Sequence, residues 1–288
     1  MKNVCITFTL ILLMTLALHA QTAYVNPEAH FQRGVERYQR GDLSGAREDF
    51  ERVIAIDPRS AEGYYNRGVV FYDQKDFEKA RLDFDRAIEL DPKYTMAYLK
   101  RGNLNLGQED FEAALADYNQ ALQLEPANAL AWNNRGLVYQ TLRQLVPALH
   151  DFNEAIKYDP KMIAAYNNRG GIHHDQGNLE AALKDYDRAI ALAPEWPMAY
   201  NNRGVTRKAK GDLQGALRDY TKALELRPTF ALAYANRARV YNELRQYEKA
   251  RQDIGKSITY GLTMEENVEP TNEKTAIKVT STKPPKQL

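Results

Sequence analysis

The 288-residue chain holds a single cysteine, Cys5. It has no excess of charge, with 39 basic against 38 acidic residues. One cysteine excludes a disulfide framework. Balanced charge removes the general electrostatic case for nucleic acid or an acidic membrane. No Gly-rich phosphate loop, nucleophile elbow or isolated pair of catalytic carboxylates is present, so no cofactor is expected and the chain reads as a non-enzyme. His173, His174 and Asp175 are adjacent on one stretch, and adjacent residues of a helix point in different directions, so no metal site is expected there.

Long apolar runs are also missing, except at the start. "MKNVCITFTLILLMTLALHA" has a short basic n-region at Lys2, an apolar stretch over 5–18 and a small residue, Ala20, where a signal peptide would be cut. Leu18 is a less usual residue at the third position before the cut. An uncleaved anchor is the alternative, although the run is short for a bilayer span of about 20 residues. Cleavage after Ala20 removes Lys2 and Cys5 and leaves 38 charges of each sign and no thiol. The expectation is an exported protein, periplasmic or at the cell surface of a bacterium, held together by packing alone. Any membrane contact would run through a partner complex or an uncleaved N-terminal segment.

What the chain has is a repeat. "AYNNRG" at 165–170 returns at 199–204, and Pro58, Pro92, Pro126, Pro160, Pro194 and Pro228 are each 34 residues apart. With proline at position 32, seven repeats start at 27, 61, 95, 129, 163, 197 and 231. Position 4 is aromatic in six, from Tyr64 to Tyr234. Position 8 is glycine in six and Ala238 in the last. Position 20 is alanine throughout, and position 24 runs Phe50, Phe84, Tyr118, Phe152, Tyr186, Tyr220 and Ile254. Positions 20, 24 and 28 share one helical face. Small residues at 8 and 20 permit close approach of two helices. Asp42, Asp76, Asp110, Asn178 and Asp212 at position 16 are N-cap residues, and the residue before each proline ends a helix. Each repeat is therefore helix, turn, helix, and the pairs must stack to bury their apolar faces. The domain reading is a signal peptide (1–20), a linker (21–26), seven repeats (27–261) and a disordered tail (262–288).

This pattern resembles the tetratricopeptide repeat (TPR) family. The resemblance implies an all-α, right-handed superhelical solenoid of antiparallel helix pairs. It also implies a concave side lined by the first helices, and a role in holding a protein or peptide partner without catalysis.

Two features depart from, or add to, the general family. Position 7 is arginine and position 23 aspartate in every repeat. These charges are expected to form structural ion pairs, Arg67 with Asp83, Arg101 with Asp117, Arg135 with Asp151, Arg169 with Asp185 and Arg203 with Asp219, within a repeat or between neighbours. The other reading, a ladder of arginines grasping an acidic ligand, is weaker because each arginine has its own acid.

Position 6 carries Asn66, Lys100, Asn134, Asn168, Asn202 and Asn236 after Gln32. Asparagine is a poor helix residue, but a carboxamide donates and accepts at once. The column is similar to the concave asparagine ladder of the protein O-GlcNAc transferases, whose catalytic domain has no counterpart here. It is expected to hold the main chain of an extended peptide, helped by Tyr65 as an exposed aromatic and by apolar groups at positions 2 and 9, among them Met96, Leu130 and Val69. The alternative is that these amides face only water. A lysine clamp for a C-terminal carboxylate is rejected, because no repeat has lysine at 5 with asparagine at 9. The expected partner is thus a protein or peptide, not nucleic acid or a small molecule. An assembly part acting through its ends or convex face, and a cell-wall glycan binder, stay open.

Overall fold

The computed structural model of the chain describes residues 26–261. The signal peptide, Cys5, all of the linker but Asn26, and the tail from Leu262 lie outside the described residues.

Fourteen helices and no strands occur among the described residues. In chain order they are α1 (Pro27–Gln39), α2 (Leu43–Ile56), α3 (Ala61–Asp73), α4 (Phe77–Leu90), α5 (Thr95–Gly107), α6 (Phe111–Leu124) and α7 (Ala129–Thr141). They continue as α8 (Leu145–Tyr158), α9 (Ile163–Asp175), α10 (Leu179–Leu192), α11 (Pro197–Ala209), α12 (Leu213–Leu226), α13 (Ala231–Glu243) and α14 (Tyr247–Thr259). Every first helix starts at position 1 of the repeat and every second helix at position 17. None of them is long and apolar enough to cross a membrane.

Local chemistry sets these bounds. Asp42, Asp76, Asp110 and Asp212 each accept the backbone N–H three residues on, satisfying one of the donors that a helix start leaves open. Asn178 occupies the same place without that bond. The turn between paired helices passes through the left-handed region at position 15. Gly41, Gly177 and Gly211 occupy it, but so do Lys75, Glu109, Arg143 and Arg245, with φ between 58 and 64°. A side chain there carries a steric cost that glycine avoids.

The chain divides into two compact units at Val138/Tyr139, inside α7. In the first, Phe50, Phe84 and Tyr118 are buried against the small residues of their own helix pairs, with Val70, Leu99 and Leu104. In the second, Phe152 packs with Ala148 and Ile172, and Tyr220 with Ala216 and Val240. Glycine at position 8 is required by this packing. A methyl group at Gly204 would lie 2.7 Å from Tyr220 Cε1, and one at Gly102 would lie 2.8 Å from Tyr118 Cε1. The ring therefore rests directly on the backbone of the first helix. The repeat with Ala238 at position 8 is also the one without an aromatic at position 24, where Ile254 stands.

Candidate functional site

The arginines of position 7 lie between the helices of their own pair. Arg67 donates Nε and Nη2 to Asp83 at 2.8 and 2.7 Å. Arg169 does the same with Asp185, Arg203 with Asp219 and Arg237 with Asp253, at 2.6–3.0 Å. Arg101 and Asp117 are joined by Nη2 to Oδ1 at 2.6 Å. The pairing is within the repeat. From the third repeat on, the guanidinium also reaches back to position 25 of the repeat before, from Arg101 to Asp85, Arg135 to Asn119, Arg169 to Asn153, Arg203 to Asp187 and Arg237 to Thr221, at 2.6–3.1 Å. It further lies over the position 4 ring, 4.7 Å from the Trp132 centroid for Arg135 and 5.5 Å from Tyr200 for Arg203. With three of five N–H groups and one face engaged, these arginines tie repeats together and are poor candidates for gripping a ligand.

Burial raises the Asp83 and Asp117 carboxyls, and the facing Arg67 and Arg101 only partly offset it. At Asp49 burial also pushes upward, but hydrogen bonds from Arg33 and His30 and the charge of Arg37 outweigh it and hold the carboxyl below its ordinary value.

The asparagines form a second chain of contacts that sequence reasoning did not foresee. Asn202 Nδ2 donates to Asn167 Oδ1 at 2.9 Å, and Asn236 Nδ2 to Asn201 Oδ1 at 3.0 Å. Asn201 Nδ2 donates in turn to Asn202 Oδ1 at 3.2 Å. In the first unit Asn134 Nδ2 donates to Asn103 Oδ1 at 2.9 Å, and its Oδ1 accepts from Asn133 Nδ2 at 3.0 Å. Position 6 of one repeat thus bonds position 5 or 9 of the repeat before. The position 5 asparagines, Asn133, Asn167 and Asn201, were given no role from sequence, yet they are buried. The clue was the doublet itself, two amides side by side in three successive repeats (Asn133/Asn134, Asn167/Asn168 and Asn201/Asn202) where one would serve a ligand.

The expected ladder is therefore divided by exposure. Asn168 and Asn236 are buried, at 7% and 6% exposure. Asn66, Lys100, Asn134 and Asn202 are half-buried. Asn66 Nδ2 donates only to the Glu62 carbonyl at 2.8 Å. Two expectations are corrected. Tyr65 is not exposed: it is buried against Tyr94, ring centroids 4.9 Å apart, and burial pushes its phenol up to about 12. Val69 is buried as well, whereas Met96 and Leu130 at position 2 are exposed at 40% and 44%. Among the described residues no group of three His, Cys, Asp or Glu could hold a metal ion. His174 Nδ1 lies 3.1 Å from Thr206 Oγ1.

Asn201 is 1% exposed and holds both neighbouring amides. Asn201→Ala leaves Asn236 Nδ2 without its acceptor and is expected to cost about 1–3 kcal/mol, read by urea unfolding. A loss below about 0.5 kcal/mol contradicts a structural role for the amide chain.

Family models of the tetratricopeptide repeat match residues 31–95, 129–162, 161–229 and 219–252, and a TPR repeat model matches 106–142. No curated protein sequence matches the chain. Among solved structures, a tetratricopeptide repeat protein from Parabacteroides merdae is similar at 22% identity and a TM-score of 0.65, over 82% of this chain and 93% of that one. YrrB, described as a TPR protein with an unusual peptide-binding site, is similar at 26% identity and a TM-score of 0.52, over 64% of this chain and 95% of its own. PilF of Pseudomonas aeruginosa shares the fold at 19% identity and a TM-score of 0.66, over 76% and 96% of the two chains.

Proposed function

Because the chain belongs to the tetratricopeptide repeat family, we propose that it is a non-catalytic scaffold that binds an extended segment of a partner protein against its first helices, the side that lines the concave groove in this family. The observation that carries the reading is the incomplete use of the amides. A carboxamide has two N–H groups and two lone pairs. Asn134 and Asn202 each spend one N–H and one lone pair on neighbouring asparagines, and both are half-exposed. Each keeps one donor and one acceptor, the complement of a peptide unit in an extended chain. The internal bonds hold these amides in fixed orientation, which lowers the entropy lost on binding. Asn66, Lys100 and the exposed Met96 and Leu130 extend the same kind of surface in the first unit. The described peptide-binding site of YrrB supports the same class of partner. The N-terminal sequence adds export to the reading, with action in the periplasm or at the cell surface.

A screen of random extended peptides against the chain tests this, run beside Asn134→Ala with Asn202→Ala, the variant being checked by circular dichroism for retained helix. Peptides are expected to bind the parent and to lose at least about tenfold in affinity on the variant, the size of one or two hydrogen bonds per site. Equal binding by a folded variant rules out the amides as the reading groups. Absence of any binding rules out the groove.

A further inference from the structure

In the second unit the first-helix face opens into a cavity of about 230 Å³, lined by His174, Val205, Lys208, Tyr220, Asn236 and Arg239. Sites for whole small molecules occupy roughly 300–1,000 Å³. This one suits a single side chain.

Tyr220 is fully buried, and its hydroxyl has no hydrogen-bond partner. Its counterpart three repeats earlier differs in a telling way. Tyr118, also at position 24, donates its hydroxyl proton to Asn103 Oδ1 at 2.7 Å. Asn103 stands at position 9 of its repeat. Val205 holds position 9 beside Tyr220 and offers no acceptor. Burial raises the Tyr220 phenol, so the group remains a donor at neutral pH. A buried donor without an acceptor, on the wall of a cavity, needs an explanation from outside the chain.

The other lining groups give the sign of what is missing. Thr206 Oγ1 donates to the Asn202 carbonyl at 3.1 Å, so it accepts from His174 Nδ1, also at 3.1 Å, and fixes that ring. Arg239 Nη1 donates to Asn236 Oδ1 at 3.1 Å. Lys208 Nζ lies 2.5 Å from Glu243 Oε1. Lys208 and Arg239 are the cations that line the cavity, and no carboxylate is among the lining residues. A cationic lining with a spare hydroxyl donor suits a carboxylate.

We propose that this cavity takes the carboxylate of one aspartate or glutamate side chain of the bound segment, with the Tyr220 hydroxyl donating to it and Lys208 and Arg239 supplying charge. The assignment rests on the docking of an extended segment on this face and adds a sequence preference to it.

The test is selection of a random heptapeptide library, acetylated and amidated so that only side chains carry carboxylates, on the full chain and on Tyr220→Phe. Phenylalanine is native at this position in other repeats, so the variant keeps the packing. The parent is expected to enrich Asp or Glu at one fixed position, and Tyr220→Phe to lose that enrichment. In a selected peptide, Glu→Gln is expected to lower affinity for the parent about tenfold or more and to change it little on Arg239→Gln. Enrichment of peptides with no acidic position overturns this assignment and leaves groove binding intact. A preference for free C-termini over acidic side chains, in a parallel unamidated library, likewise overturns it. Failure to enrich any peptide overturns both readings.

Discussion

Asp219→Ala is expected to destabilise the chain by about 3–5 kcal/mol, the loss that follows when one partner of a buried ion pair is removed. Asp219 is 3% exposed and accepts from Arg203 Nε at 3.0 Å, Arg203 Nη2 at 2.6 Å and Arg207 Nη1 at 2.9 Å. Truncation strands two guanidiniums in a place built for a carboxylate, with only Asp187 and Asp212 nearby to compensate. The exposed pair Lys222–Glu225, 3.4 Å apart on α12, gives the contrast. Glu225→Ala should change stability by less than about 1 kcal/mol, because water screens the pair. Urea unfolding of both variants measures the difference. Similar small losses for the two would mean that the repeated Arg–Asp pairs are not structural.

The second large effect is at Tyr220. Tyr220→Ala empties a fully buried site whose ring rests on the Gly204 backbone and is expected to cost about 3–5 kcal/mol. Tyr220→Phe keeps the ring and removes only a hydroxyl with no partner, so stability should stay level or rise by up to about 1 kcal/mol. Tyr118→Phe should behave oppositely and lose about 1 kcal/mol, because that hydroxyl donates to Asn103. Thermal unfolding of the three variants measures the order. A destabilised Tyr220→Phe would show that its hydroxyl already has a partner.

Those two residues also show what was legible in the sequence. The fold was, because helix register is written in a period of 34 residues that repeats seven times, and each repeat confirms the others. Gly204, Ala216 and Tyr220 could be placed on facing helices from spacing alone. The Arg203–Asp219 pairing was legible as a partnership, since two opposite charges kept one period, but its second arm to Asp187 was not. That arm depends on the stacking of neighbouring repeats, which the spacing within one repeat does not encode. The asparagines were read by residue type at position 6 alone. Their bonds cross from one repeat to the position 5 or 9 side chain of the previous one, so Asn201 and Asn167 became visible only with stacking in place. Tyr65 was misjudged for the same reason. The ring of Tyr94, at position 34 of its repeat, covers it, and no repeat-wide pattern marks that position. The orphaned Tyr220 hydroxyl came from a single exchange between repeats, Asn103 against Val205, which a consensus reading averages away.

The central claim is that the amides read the main chain of a bound segment. The direct measurement is a calorimetric titration of the full chain with a selected peptide and with the same peptide N-methylated at alternate residues. Methylation removes backbone donors and leaves every side chain in place. The account predicts that the N-methylated peptide loses about tenfold or more in affinity, and that Asn134→Ala with Asn202→Ala, once folded, no longer distinguishes the two peptides. Equal affinity of the two peptides for the parent would contradict it.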